Sequence, residues 1–530
     1  MGSAPGTVPA ASPVAWRPRV SPWLIAASVV LATFMQVLDV TVVMVALPHI
    51  AGGMAATHTE ATWTLTSYLV ANGIVVPLSG WLALRFGRKR LIMACTALFS
   101  VSSMVCGLAP NLTVLVLARI FQGAGSGAMV PATQAVLLES FPLAKRGMAM
   151  AAFGLVVVLA PIIGPTLGGW LTDAYSWRWA FYINVPVGLL ALFLMARYLE
   201  DPPWIRRERA GRLDGMGLAF LILWIGALQV VLDKGQDADW FASRGITALT
   251  VVALAGAIAL VVREIRAEQP MVDLRVFADR NFGAGTLALA VLSWVMLATG
   301  AMLPQFLQML MGYTAELSGW ASSPRGLGVL LATPLAGTVV SRVDARKLTA
   351  FGFCLMAVSN YMFGNISLEI GMGDIVWANV IQGFGMGFIF APLTTLAMAT
   401  LRNEQMGNAS GLFNLVRNVA GGIGISATTT FIVRSAQRHQ VFLVSHLTPY
   451  DVAYQQRLAR MKAALGALGG GPQADAKAYA ALYRVVLQQA HLSAYVDAWR
   501  WLAVGALLAL PALAAMRRVL GRGGVRGPVE

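Results

Sequence analysis

Along almost the whole chain, apolar runs of helix-spanning length, about 20 residues each, alternate with short polar gaps. The runs begin near Trp23, Thr62, Leu91, Leu112, Met148, Trp179 and Asp214, then near Gly245, Phe282, Trp320, Leu348, Ile375, Ala409 and Ala498. They predict an all-α polytopic membrane protein with about fourteen transmembrane helices, whose even number puts both termini on one side. One interval departs from this rhythm. Residues 435–497 form a polar insert in which Tyr450–Leu465 and Asp475–Val496 keep helical spacing, separated by Gly469, Gly470, Gly471 and Pro472. Two amphipathic helices outside the membrane are expected there. They would serve either as a lid on the bilayer surface or as a docking surface for a partner.

Composition agrees with the pattern. Hydrophobic residues make up 57% of the 530 and charged residues only 12%, a balance that a water-soluble fold cannot hide from solvent. The net charge of +15 resides mainly in short gaps such as Arg85, Arg88, Lys89 and Arg90. This is the positive-inside bias of a helical membrane protein, and it argues against nucleic acid as a partner. Lys145, Arg146, Arg206 to Arg212, Arg263 to Arg280, Arg342 to Lys347 and Arg402 fall on the same side as the termini. Both termini are therefore expected in the cytoplasm. Residues 1–20 read as a cytosolic tail before a retained first helix, since the run that follows is too long for a leader and contains Asp39. Cys95, Cys106 and Cys354 lie within apolar runs without ligand spacing and read as small core- or lipid-facing residues.

The chain echoes itself. Phe121-Gln-Gly-Ala-Gly-Ser-Gly-Ala-Met-Val-Pro131 in the fourth span is similar to Ile381-Gln-Gly-Phe-Gly-Met-Gly-Phe-Ile-Phe-Ala-Pro392 in the twelfth. Internal repeats around a central site are how many secondary transporters are built. The spacing of the echo fits two six-helix bundles, residues 21–200 and 282–516, with two inserted helices over 201–281. Residues 517–530 would be a second cytosolic tail.

An ionisable side chain deep in a span costs several kcal/mol unless paired or hydrated, so each is a functional candidate. Asp39 lies inside the first span, Arg119 inside the fourth, Arg417 inside the thirteenth and Arg325 toward the outer part of the tenth. A carboxyl group in a low-dielectric site can exchange a proton near neutral pH. Asp39 is accordingly assigned as proton carrier and Arg119 as the group that tunes it, against the alternative of a static ion pair. The loop Gly80-Trp-Leu-Ala-Leu-Arg-Phe-Gly-Arg-Lys-Arg90 offers Gly80 and Gly87 for close approach of helix ends, while Arg88, Lys89 and Arg90 read as topogenic charge. In the fifth span, Gly164, Pro165, Gly168 and Gly169 predict a bendable, closely packed helix. The sequence contains no Gly-x-x-x-x-Gly-Lys-Ser/Thr loop, no His-Glu-x-x-His and no Gly-x-Ser-x-Gly. These absences remove a built-in ATPase, a zinc hydrolase and a serine hydrolase, and leave no sign of an enzyme.

Taken together, these segments resemble the major facilitator superfamily, in particular its fourteen-span drug/proton antiporters of the EmrB/QacA type. Leu38–Pro48 is similar to that family's first-span motif and Gly80–Arg90 to its loop motif. Leu117–Pro131 is similar to the fourth-span Arg-x-x-Gln-Gly motif, and Ala160–Gly169 to the antiporter motif. Asn184-Val-Pro-Val-Gly188 and the long outer insert look closest to the EmrB branch. That resemblance implies a Gram-negative inner membrane, export of hydrophobic drugs, uncouplers, detergents or fatty acids, and a periplasmic adaptor of the EmrA type leading to an outer-membrane channel. Two positions depart from the family pattern. Leu84 stands where the loop motif usually has an acid, so Arg85 must pair elsewhere or not at all, and Met44 stands where the first span often has Asn.

The expected mechanism is alternating access of the two bundles, powered by a proton gradient without any bound cofactor. Protonation of Asp39 from outside weakens its hold on Arg119, and substrate from the cytosol or inner leaflet drives the reverse change. Gln36, Gln122, Phe306, Gln382, Asn414 and Arg417 are the candidate substrate-cavity residues. A fatty-acid or lipid exporter of the same fold is the alternative, and a non-transporting membrane sensor or scaffold a more remote one.

Overall fold

The computed structural model describes residues 18–142, 145–201, 214–267, 272–339, 343–401, 405–448, 450–467 and 474–517. Among the described residues the secondary structure is helical throughout, without strands. The sequence-predicted tails, the loop arginines Arg206, Arg207, Arg209, Arg212, Arg342 and Arg402, and the Gly469–Pro472 break lie wholly or mainly outside the described residues.

The first bundle comprises α1 (Pro22–Gly53), the short α2 (His58–Ala61), α3 (Trp63–Phe86), α4 (Arg88–Leu108), α5 (Leu112–Gly127), α6 (Met129–Ser140), α7 (Arg146–Ala174), α8 (Trp179–Tyr182) and α9 (Asn184–Tyr198). The inserted pair is α10 (Gly215–Lys234) and α11 (Arg244–Arg266). The second bundle comprises α12 (Arg280–Met309), α13 (Ala315–Ser322), α14 (Pro324–Val339), α15 (Ala345–Phe363), α16 (Met372–Met398), α17 (Met406–His446), α18 (Val452–Ala467), α19 (Ala474–Leu507) and α20 (Ala509–Ala515). Ten helical stretches among the described residues are long and apolar enough to cross a membrane. The four other predicted spans, on α7, α13 with α14, α15 and α17, are helical as well.

Proline sets three of the breaks inside spans. A proline has no N–H for the carbonyl four residues earlier and its ring crowds that carbonyl. α5 ends at Gly127, four before Pro131; α8 ends at Tyr182, four before Pro186; α19 ends at Leu507, four before Pro511. The second of these breaks makes Asn184 the first residue of α9, which matters for the site below. Pro48, Pro77, Pro304, Pro334 and Pro392 are carried within unbroken helices.

The outer insert corrects the predicted boundary of the last span. The helix expected to begin at Ala498 begins at Ala474, because neither proline nor glycine interrupts residues 474–504 and the amphipathic segment simply continues into the span. Similarly α17 continues as helix to His446 rather than ending at Ser435. Its 41 residues reach about 60 Å at 1.5 Å per residue, twice a hydrocarbon core of roughly 30 Å. His439 and Ser435 of α17 both reach Asp497 of α19, at 2.7 and 3.2 Å, which ties the two projecting helices together. Lys462 of α18 pairs with Asp475 at 3.0 Å across the hairpin.

The start of α1 and the end of α20 lie on one side. Trp23 packs edge-on against Phe141 at 5.1 Å, and Arg280 and Arg346 donate to the carbonyls of Ala515 and Met516. The two bundles meet on that side: a Cβ on Gly80 would lie 3.3 Å from the Asn408 backbone nitrogen. Deeper in the seam, Gln134 Oε1 accepts from both Ser410 Oγ and Asn414 Nδ2 at 2.7 Å, and Phe153 packs near Phe390.

Candidate functional site

Asp39 sits 17 residues into α1 and 14 from its end, about 25 and 21 Å by helical rise, near the middle of the span. It is only 1% exposed. Arg119 approaches it from α5, fully buried, with Nη1 2.6 Å from Asp39 Oδ2. Gln122, one turn further along α5, donates to Asp39 Oδ1 at 3.0 Å, and Asn184 Nδ2 donates to the same oxygen at 2.7 Å. One cation and two neutral donors, supplied by α5 and α9, thus hold the acid of α1.

Arg119 is held just as closely. Its Nε donates to the Thr64 carbonyl at 2.9 Å and its Nη1 also reaches Gln122 Oε1 at 2.8 Å. The guanidinium carbon lies 4.2 Å from the centre of the Tyr68 ring, a cation–π contact in a buried site. Glycine permits this geometry: a Cβ at Gly123 would collide with the Tyr68 carbonyl oxygen, so only glycine lets α5 lie this close to α3. Ser103 completes the cluster by accepting from Asn184 at 3.1 Å. A desolvated charge pair of this kind is expensive to build and gives little net stability. Two neutral donors, Gln122 and Asn184, share Asp39 with the guanidinium, so the acid has three hydrogen-bond partners in a site closed to solvent.

The loop motif does more than carry topogenic charge. Arg88 is buried and forms an ion pair with Glu139 of α6, while Lys89 donates through its Nζ to the Ala196 carbonyl at 2.8 Å. Gly87 has φ +86°, a left-handed turn that brings the chain against Asp201, whose Oδ1 caps α4 by accepting from the Lys89 backbone N–H at 2.8 Å. Arg85 is exposed and forms no ion pair among the described residues. In the fifth span, Gly164 and Gly168 press α7 onto α1. A Cβ on Gly164 would collide with Thr41 Oγ1, and one on Gly168 would lie 3.0 Å from Val42 Cα. Gly169 makes no such approach, its nearest neighbour being Val45 at 3.9 Å. Pro165 lies in the same helix, and its side chain lies outside the described residues.

The six cavity candidates separate. Gln122 belongs to the Asp39 cluster, and Gln36 is buried three residues before the acid with its Oε1 unpaired. Asn414 belongs to the seam through Gln134. Gln382 is fully buried with neither side-chain polar atom bonded, and Arg417 is half-buried with Nη1 unpaired. Phe306 needs correction: it is sealed against Tyr495 and Trp499 of α19 at 5.5 and 5.2 Å, a packing residue inside the second bundle and not a cavity wall. Arg325 is buried and donates to Asn379 Oδ1 at 3.0 Å. Asn184, Gln134 and Glu139 are site and seam residues to which sequence reasoning assigns no role. Glu139 carries a signal, an acid closing an apolar run; the two amides carry none beyond polarity in an apolar setting.

The sequence profile described as Major Facilitator Superfamily matches residues 29–425. The chain is 39% identical to the multidrug export protein EmrB of Escherichia coli over 434 residues, 82% of this chain and 84% of that one. It is 37% identical to the fatty acid resistance protein FarB of Neisseria gonorrhoeae, over 81% of this chain and 85% of that one. Among solved structures, the human organic anion transporter MFSD10 superposes with a TM-score of 0.59 at 12% identity, over 93% of this chain and 100% of that one, a likeness of fold alone.

Proposed function

The chain belongs to the major facilitator superfamily, among its EmrB-type drug transporters, and from that premise we propose that it exports hydrophobic and amphipathic compounds in exchange for protons, with Asp39 as the proton-carrying group. The supporting observation is the Asp39–Arg119 pair, an acid and a base buried at mid-span with neutral donors around them. A proton taken by Asp39 from outside cancels the ion pair and frees Arg119, which favours opening toward the termini. Cargo bound from the cytosol or the inner leaflet favours the return of the charge and the outward turn. Proton and cargo then act oppositely on one equilibrium, which is the linkage that antiport requires.

Both termini lie in the cytoplasm on this reading, which follows the Lys and Arg of the short loops. The projecting hairpin of α17, α18 and α19 then faces the periplasm and docks an adaptor of the EmrA type, completing a three-part route to the outer membrane. A second reading, export of fatty acids or lipids, is favoured by the name and 37% identity of FarB.

Dye efflux from inverted vesicles under an imposed pH gradient tests the coupling. Wild type should extrude dye only while the gradient lasts, and Asp39→Asn should abolish gradient-driven efflux. Undiminished efflux by Asp39→Asn overturns the assignment, and a folded wild type that moves nothing returns the chain to a sensor or scaffold. Deletion of residues 450–491 should lose the adaptor in a pull-down; retained capture removes the docking role.

A further inference from the structure

The sequence echo between the fourth and twelfth spans has a three-dimensional counterpart. Arg119-Ile-Phe-Gln122-Gly on α5 aligns with Asn379-Val-Ile-Gln382-Gly on α16. The glycines after the two glutamines make the same contact. A Cβ on Gly123 would collide with the Tyr68 carbonyl oxygen of α3, and one on Gly383 with the Arg325 carbonyl oxygen of α14. Asn379 therefore stands where Arg119 stands in the first bundle, and Arg325 where Tyr68 stands. The two bundles have exchanged the position of their arginine.

They differ in what the arginine is given. In the first bundle α1 supplies Asp39. In the second, α12, α14 and α15 contain no Asp or Glu along their whole lengths, α16 has only Asp374, exposed in its first turn, and α13 has Glu316, whose side chain lies outside the described residues. Arg325 makes one hydrogen bond among the described residues, to the neutral Asn379, and its Nε is unpaired. Gln382, one turn along α16 from Asn379, is fully buried with both Nε2 and Oε1 unpaired. A Cβ on Gly300 of α12 would lie 3.8 Å from Arg325 Nη1, so the guanidinium occupies the angle between α12, α14 and α16. On the other side of α14, Leu327, Leu330, Leu331 and Leu335 are exposed.

We propose that Arg325, with Gln382, binds the carboxylate of an amphipathic acid, so that cargo supplies in the second bundle the anion that Asp39 supplies in the first. The first bundle shows what this donor set holds: guanidinium and glutamine together grip a carboxylate with bonds of 2.6 and 3.0 Å. A guanidinium inside a membrane with no acid paired to it among the described residues is costly, and an anionic head offsets that cost where a neutral or cationic one does not. The proposal rests on the export reading and deepens it, by assigning the residues of the second bundle that hold the head of an acidic cargo.

The test is equilibrium binding to the full chain in phosphatidylcholine nanodiscs at alkaline pH, with no gradient. The probes are laurate, dodecanol and dodecyltrimethylammonium, which share a tail and differ in head charge. Wild type should prefer laurate over dodecanol by about tenfold to a hundredfold, the size of a charge-assisted hydrogen bond. Arg325→Gln should erase that preference. Asn379→Asp should erase it too, with the arginine retained, because the new carboxylate pairs with Arg325 from within. Arg325→Lys should keep part of it, and dodecanol binding reports a folded chain throughout. A wild type without preference, or a preference that survives Arg325→Gln or Asn379→Asp, overturns the proposal. Because no gradient is present, the outcome is independent of the efflux of Asp39→Asn. Export without carboxylate preference sinks only this site, and preference without gradient-driven export sinks only the antiport reading.

Discussion

Asn184 donates to Asp39 Oδ1 at 2.7 Å from the first residue of a helix that begins there because Pro186 ends the one before it. The same amide nitrogen reaches Ser103 at 3.1 Å, so one side chain ties α9 to α1 and α4. Asn184→Leu leaves a charged oxygen with one donor fewer in a dry site, at a cost of about 1–3 kcal/mol. A lower unfolding temperature of the purified chain and slower gradient-driven efflux are expected. Asn184→Asp should be worse, since two carboxylates would then share one guanidinium. Wild-type melting and efflux in both variants would show that Asn184 has no part in holding the acid.

Much of this arrangement is legible in the sequence. An acid and a base in separate apolar spans have few options inside a bilayer, so Asp39 and Arg119 can be paired from the sequence alone. The spans themselves are legible because hydrocarbon thickness fixes their length. What cannot be read is which amides join the pair: Asn184, Gln382 and Asn414 look alike as letters, yet one binds the acid, one is unpaired and one locks the seam. Phe306 escapes sequence reasoning because an aromatic residue in a span suits a cavity wall and a helix interface equally well. The start of the last helix escapes it because an amphipathic segment and a span can share one helix when nothing breaks it.

Arg88 and Glu139 form a buried ion pair where the loop charges alone suggest topology. Removing one partner strands the other, so Glu139→Gln should destabilise by about 3–5 kcal/mol, whereas replacing both with apolar residues of similar size should cost far less. A double-mutant cycle with Arg88→Met and Glu139→Met, read by thermal unfolding, measures this. Additive losses would mean that the two side chains are not coupled.

The antiporter segment makes a discriminating prediction. Gly164→Ala drives a methyl group into Thr41 Oγ1, and Gly168→Ala presses on the α1 backbone, whereas Gly169→Ala meets only ordinary contact. Overpacking of this kind costs roughly 1–3 kcal/mol and moves α7 off α1. Efflux should fall in the first two variants and survive in the third. Equal tolerance of all three would remove close packing as the reason for these glycines.

Gln134 joins the bundles on the side of the termini, accepting from Ser410 and Asn414 at 2.7 Å each. Each bond is worth about 0.5–1.5 kcal/mol net, so Gln134→Leu should shift the balance toward opening on that side by about 1–3 kcal/mol, or roughly fivefold to 150-fold. Ser410→Cys is the natural reporter, since its side chain is fully buried in the seam and faces Gln134 directly. The exposed Cys354 is replaced by Ala beforehand, so that its thiol gives no background. The Asn414 bond still holds Gln134 in this chain. In inverted vesicles, a membrane-impermeant maleimide should therefore label Ser410→Cys slowly, and faster once Gln134→Leu is added. Cargo that favours the outward turn should slow the labelling again, because it draws on the same equilibrium from the other side. Labelling that is equally fast with and without Gln134→Leu would mean that these hydrogen bonds do not hold the bundles together.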